Sequence, residues 1–314
     1  MYAFSGPVLI EDTFLRDGLQ GEERRFTLAQ KRGFLAALES AGLRRIQLGS
    51  FVHPGRVPQM ADTDALFAGL DPKPGVTYSA LVLNMAGLDR ALAVGVRHLS
   101  ISISASEAHS RSNTGRSVAE ARARIGPVIA RARAAGIALR AGIQSALGCG
   151  FEGRVDPDRV VTIAREFAAQ GVEEINIADT AGLADPRQVF GLCDRLAQAL
   201  GPGVALSLHL HDTRGLGLAN MVAGLQAGVR VFDAALGGLG GCPFIPDAAG
   251  NIATEDAAFA CGAMGLETGI DWRALAAPVA QAEAMLGRRL PARVSHVPPP
   301  PQQAPQCPRH AGGD

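Results

Sequence analysis

Short runs of β-branched and aliphatic residues alternate with stretches of helical periodicity along almost the whole chain. The strand-like runs fall at 8–14, 44–51, 77–84, 98–105, 138–146, 173–180, 205–212 and 229–238. Between them, segments such as 117–136 and 157–171 space their apolar residues at three and four, the period of an amphipathic helix. Glycine stands where a helix would stop before the next strand: Gly42, Gly95, Gly136, Gly171 and Gly228 all fit the position just past a helix end. Eight such βα units predict an α/β fold, a (β/α)8 TIM barrel, in preference to an open doubly wound sheet. The open sheet loses its commonest version because no GxGxxG follows the first strand. Residues 253–288 read as closing helices. The barrel domain is therefore expected over 1–290 and a Pro-rich disordered tail over 291–314, where almost nothing is available to bury.

Composition narrows the chemistry. The 314 residues are 47% apolar, with 30 basic and 30 acidic side chains and zero formal net charge. That balance supplies no general attraction to nucleic acid or to an anionic membrane. No apolar run approaches the ~20 residues that span a bilayer, and no export or import signal is visible at the start, so a cytoplasmic protein is expected. Only Lys31 and Lys73 are lysines. The first falls in a predicted helix and the second in a polar turn, whereas an imine-forming enzyme needs a desolvated amine at its substrate. Carbon–carbon bond chemistry in this chain would call for a metal instead. The five cysteines are odd in number, widely spaced and without a CxxC pair, which argues against both a disulfide framework and a structural zinc site.

In a parallel barrel the working groups stand at the carboxyl ends of the strands, and those ends are polar here. The seventh run closes in His209-Leu210-His211-Asp212. Residues two apart in a strand share a face, so both imidazoles can aim into the barrel mouth. Asp17 after strand 1 and the amide oxygen of Asn251 after strand 8 would complete an N2O2 set suited to Mg2+ or Mn2+ as well as to Zn2+. The alternative is two histidines bonded within a polar barrel layer. Arg16 could meet an anionic oxygen such as an enolate, or form a structural ion pair with Asp17 or Asp179. The loop GGLGGCPFIPDAAGN sets Cys242 among glycines and prolines; a thiol there could exchange protons, or be incidental to a flexible connection. Asp179 ranks above Glu255, whose place suits the first turn of a helix. His53 and His109 read as solvated loop residues.

Together these residues resemble the hydroxymethylglutaryl-CoA lyase family, within the metal-dependent barrel lyases and Claisen condensing enzymes. The resemblance covers about residues 8–290. It rests on LRDGLQGE (15–22), SFVHPGRVPQMAD (50–62), SISASEAHSRSN (102–113), ALGCGFEG (146–153), ADTAGL (178–183), HLHDTRGLGLAN (209–220) and GLGGCPFIPDAAGNIATED (238–256). It implies that Asp17, His209, His211 and Asn251 hold a divalent cation, Mg2+ or Mn2+. Arg16 would stabilise an enolate and Cys242 would take part in proton transfer. Gln20, Asp179 and Asn113 would support substrate or metal geometry, with Gln47 and Ser50 also facing the substrate. Arg111 and Arg116 are the arginines considered for the CoA nucleotide; as surface residues they would simply be solvated.

The implied reaction is a retro-Claisen cleavage of 3-hydroxy-3-methylglutaryl-CoA to acetyl-CoA and acetoacetate by a homodimeric oxo-acid lyase. Two positions depart from the family. Where its second strand carries glutamate, this chain has Gln47, which keeps the shape but not the charge. The entry reads EDTFLRDGLQ where the family mostly reads EVGPRDGLQ. A divergent branch follows, so a related branched acyl-CoA such as citramalyl-CoA is the alternative substrate. A barrel that binds metal or acyl-CoA without catalysis is disfavoured by the complete set of site residues.

Overall fold

The computed structural model describes residues 6–241 and 250–298. Eight parallel strands close into a barrel in sequence order: β1 (Leu9–Asp12), β2 (Arg45–Ser50), β3 (Thr77–Leu81), β4 (His98–Ser104), β5 (Ala138–Gln144), β6 (Glu174–Asp179), β7 (Ala205–Leu210) and β8 (Val231–Ala234). Pairing of β1 with β8, Leu9 to Val231 through Asp12 to Ala234, excludes the open sheet. All eight expected runs are strands, each trimmed at one or both ends where the chain turns into a loop.

The outer layer comprises α1 (Leu28–Ser40), α2 (Thr63–Ala68), α3 (Met85–Ala93), α4 (Glu107–Thr114), α5 (Val118–Ala134), α6 (Pro157–Ala169), α7 (Pro186–Leu200) and α8 (Gly217–Gln226). Two helices, α9 (Thr254–Ala263) and α10 (Ala276–Leu286), complete the expected closing segment. Helix starts follow local chemistry. Thr27 with Gln30 and Ser117 with Glu120 form capping boxes, and α6 and α7 each begin Asp-Pro, an acceptor followed by a residue with no N–H to satisfy. Such caps contribute about 1 kcal/mol each. The five glycines expected to end helices all adopt positive φ.

The apolar core lies between the strands and the helices, where Ile10, Ile46, Leu99, Ile175, Leu208 and Phe232 are buried against the outer layer. The other strand face turns inward and is charged. Glu11 of β1 meets Arg140 of β5 at 2.7 Å, and Arg45 of β2 meets Glu174 of β6 at 2.7 Å. These strands lie opposite one another in an eight-membered ring, so such pairs can form only through the interior. The barrel is filled by ions rather than by the branched aliphatics common in this fold.

The segment after α10 stays attached. Arg293 and Val294 donate backbone N–H groups to Asp256 at 2.8–3.0 Å, and Leu290 and Ala292 are buried. Packed chain thus continues past residue 290, while 299–314 lie outside the described residues. Lys31 is spent on α1–α2 packing: its Nζ donates to Gln59 O at 2.5 Å and pairs with Asp62. Cys193 and Cys261 are buried free thiols, pushed by burial to about 12 and about 11, so both are core residues. Among the described residues, no helix is long and apolar enough to cross a membrane.

Candidate metal centre at the barrel mouth

Strand β1 runs into a five-residue π-helical turn, Phe14–Gly18, which carries Arg16 and Asp17. Single wide turns of this kind recur at functional sites. The turn is pinned at its base. Thr13 O accepts from the N–H groups of Arg16, Asp17 and Gly18 at 2.8–3.2 Å, and Asp12 accepts from Phe14 N at 2.9 Å and the Thr254 hydroxyl at 2.6 Å. Burial lifts the Asp12 carboxyl to about 6.

His209 and His211 lie at the end of β7, two residues apart as the sequence suggested, and both are buried. Each Nδ1 has an acceptor: Asp233 Oδ2 at 3.0 Å for His209 and Thr180 O at 3.0 Å for His211. With the Nδ1 protons donated there, both Nε2 lone pairs are bare, yet they stand only 3.1 Å apart. Two facing lone pairs require a shared proton or a cation between them. Asp17 Oδ2 lies 3.8 and 3.9 Å from the two nitrogens, and the three side chains form one cluster able to hold a metal ion.

Asn251 completes the group through backbone pairing. An antiparallel bridge sets it beside His211, with Asp212 N donating to Gly250 O at 2.9 Å and Ile252 N to Leu210 O at 3.1 Å. Its Nδ2 donates to Asp17 Oδ2 at 2.8 Å and to Leu239 O at 3.0 Å. Among the described residues, the Oδ1 is buried without a partner. Orphaned buried oxygens are uncommon, and a cation ligand is one reason to keep one. The approach needs glycine at 240: φ there is +114°, and a Cβ would stand 2.5 Å from Asn251 Nδ2 and 3.2 Å from Asp17 Oδ2. Two neutral imidazole nitrogens, one carboxylate and one amide oxygen make a donor set that fits a divalent cation.

Arg16 forms the ion pair with Asp17 that was the structural alternative for it. Its Nη1 donates to Asp17, its Nε donates to Gln47 Oε1, and Gln47 Nε2 donates to Ser100 Oγ at 3.2 Å. Burial works to raise the Asp17 carboxyl, but Arg16, helped by the two imidazoles, holds it well below the usual carboxylate range. The expected glutamate position is therefore a fully buried amide that anchors Arg16 without neutralising it.

Other expected residues are placed differently. Asp179 is buried with both oxygens committed to backbone amides, Leu183 N at 2.8 Å and Ala184 N at 3.2 Å; burial raises its pKa. It fixes the turn containing Thr180, the acceptor for His211. Ser50 is buried at the end of β2 with its hydroxyl unpartnered among the described residues, Gln20 is half-buried just past the π-turn, and Asn113 is exposed on α4, donating to Gln144 Oε1 at 3.4 Å. Glu255 is fully buried and lifted by that burial to about 8. His53 is exposed, as expected, but His109 is not: it lies on α4 and is buried, because Ser106 caps that helix and turns the residue inward. Arg111 pairs loosely with Glu107 and Arg116 bonds Thr114 O, both local contacts. Cys242 lies outside the described residues.

Sequence reasoning missed Glu11, Arg45, Arg140, Glu174 and Asp233, the ionic filling beneath the candidate metal cluster. Their signal was present as charged residues at the inward positions of otherwise apolar strands. Arg140 holds Asp233 bidentately at 2.6 and 2.8 Å and draws Glu11 to itself as well. Burial alone would raise Glu11 and Asp233; the Arg140 guanidinium outweighs it and keeps both low.

A closed parallel barrel with a two-histidine, one-carboxylate cluster and an anchored arginine at its carboxyl end defines a class, the barrel enzymes with a candidate metal centre at the mouth. Residues 8–280 match the HMGL-like family model, and the chain belongs to that family. It is 41% identical over 272 residues to the hydroxymethylglutaryl-CoA lyase of Pseudomonas mevalonii, covering 87% of this chain and 90% of that one. It is 40% identical over 302 residues to the (R)-citramalyl-CoA lyase of Chloroflexus aurantiacus, covering 93% and 95%. The structure of an HMG-CoA lyase from Acinetobacter baumannii in complex with coenzyme A and 3-methylmalate superposes with a TM-score of 0.90 at 33% identity, covering 97% and 99%.

Proposed function

We propose that this protein is a divalent-metal-dependent oxo-acid lyase that cleaves 3-hydroxy-3-methylglutaryl-CoA to acetyl-CoA and acetoacetate, using Mg2+ or Mn2+. The observation that supports it most is the convergence of Asp17, His209, His211 and the orphaned Asn251 oxygen beside an anchored Arg16. A bound divalent cation would lower the pKa of a coordinated hydroxyl and so ease loss of its proton. Breaking the C2–C3 bond leaves negative charge on the departing thioester enolate. Arg16 is held in place by Gln47 and Asp17, and among the described residues its second Nη carries no hydrogen bond. That edge is free to meet the developing oxyanion without reorganising. Asp179 steadies His211 through the turn that carries its acceptor, Thr180. The Cys242 thiol is retained as the proton-transfer partner on the sequence resemblance.

Gln47 favours a second reading. In citramalyl-CoA the carboxylate sits on the carbinol carbon, one methylene closer to the metal and Arg16 than in the longer substrate. A glutamate at 47 would repel it; a neutral amide does not. Cleavage of that substrate would give pyruvate and acetyl-CoA. A cytoplasmic homodimer, with no nucleic-acid or membrane partner, is the setting we carry over from the sequence. The test is acetyl-CoA release from both thioesters with Mg2+ or Mn2+ and then with EDTA. EDTA-sensitive cleavage of either establishes the chemistry and its preferred acyl group. Cleavage that persists undiminished in EDTA would refute the metal role.

A further inference from the structure

Beneath the metal-binding cluster the barrel holds a carboxylate that no part of the proposed reaction uses. Asp233 stands directly across the β7–β8 ladder from His209, so strand register alone brings them together. Its Oδ2 accepts from His209 Nδ1 at 3.0 Å, and both its oxygens are gripped by Arg140 at 2.6 and 2.8 Å. Asp233 is fully buried and Arg140 nearly so, so neither can swing away to water. We infer that Asp233, clamped by Arg140, is the positioning residue that fixes the tautomer and ring plane of His209 and presents a bare Nε2 to the divalent cation. The inference rests on the divalent-metal reading above.

The argument is one of donors and acceptors. Arg140 has only donors, so it occupies one site on each carboxylate oxygen and leaves a further Oδ2 lone pair turned to His209. An imidazole beside an acceptor that cannot donate must place its proton on Nδ1, which leaves Nε2 free to ligate. Because the clamp is bidentate, the carboxylate cannot rotate, and the ring it holds cannot rotate either. Outer partners of this kind set metal affinity by roughly 10–100-fold.

The test is Mn2+ titration of the full chain, with free ion followed by its electron paramagnetic resonance signal, and needs no substrate. Asp233→Asn keeps an oxygen near His209 but breaks the charged clamp; Arg140→Lys keeps the buried cation but loses the fork. Both are expected to bind Mn2+ roughly 10–100-fold more weakly than the parent. Glu174→Gln is the control: Glu174 hydrogen-bonds Arg45 and approaches Arg140 only at 3.8 Å, so the variant should melt lower yet bind Mn2+ within about twofold of the parent, since the hydrogen bonds joining Arg140, Asp233 and His209 stay in place. Unchanged affinity in folded Asp233→Asn or Arg140→Lys, or equal losses in all three, overturns the inference. Absence of Mn2+ binding by the parent protein would instead overturn the metal reading itself. Should the clamp variants not fold, nitrogen-15 spectra of histidine-labelled parent protein, free of metal, read the tautomer directly. An Nδ1–H His209 supports the inference and an Nε2–H His209 removes it.

Discussion

Glu255 offers a direct measure of how firmly the β8–α9 connection is packed, and that connection delivers Asn251 to the mouth. Its carboxyl is fully buried, accepts from Gly237 N at 3.1 and 3.2 Å and from Ser295 Oγ at 3.0 Å, and has no cation beside it among the described residues. Burial therefore dominates and lifts it from an ordinary 4.5 to about 8. A rise of about 3.5 units corresponds to about 5 kcal/mol of pH-dependent stability. The sign follows from which state holds the proton. Below pH 4.5 both states are protonated and nothing is lost; as pH climbs to 8 the unfolded chain releases the proton while the folded chain keeps it, so stability falls throughout that window. Glu255→Gln resembles the protonated acid and has nothing to titrate. Its stability advantage over the parent should therefore grow by about 4 kcal/mol between pH 5 and pH 9. Urea unfolding followed by the fluorescence of Trp272, the single tryptophan, reads this difference at each pH. A gap constant to within about 1 kcal/mol across that range would refute the reasoning, because it would mean that the folded carboxyl ionises as freely as an exposed one.

Arg16→Gln should lower kcat by roughly 10²–10³-fold, with Mn2+ affinity changed far less, as steady-state kinetics and metal titration would show. Gln47→Glu places a carboxylate against Arg16, and the ratio of kcat/KM values for hydroxymethylglutaryl-CoA over citramalyl-CoA should rise by about tenfold, the scale of one screened charge contact. Arg140→Met strands Asp233 without its guanidinium and leaves Glu11 only Arg45, and should cost about 3–5 kcal/mol, visible as a lowered urea midpoint. Borohydride added during turnover should trap no substrate on Lys31, which already serves Asp62 and Gln59; mass spectrometry of the quenched protein would reveal any adduct.

Much of the site was readable before the fold was known. His209 and His211 announce themselves because the strand period of two puts both on one face, and Asp17 and Asn251 because they follow strand ends, where a barrel gathers its loops. Gln47 stood out against the glutamate of the resembling family. His109 was misread because a helix capped at Ser106 can bury a histidine that a run of polar residues would otherwise place in solvent. Asp233 was passed over for a related reason: one acid within an apolar run says nothing of its partner until register places that partner opposite.

The sequence by itself determined the alternation of strands and helices, the caps that start the helices and the near-absence of lysine, because these depend on period, local hydrogen bonding and composition. It also singled out Asp17, His209 and His211, which the structure gathers into one cluster able to hold a metal ion. Only the tertiary structure decided that the sheet closes, that the interior is filled by Glu11, Arg45, Arg140, Glu174 and Asp233, and that Asn251 offers an unpartnered oxygen beside two bare imidazole nitrogens. Those facts depend on residues far apart in the chain meeting across the barrel. Coulomb attraction and unmet hydrogen bonds act on distance in space, which no local pattern of residues records.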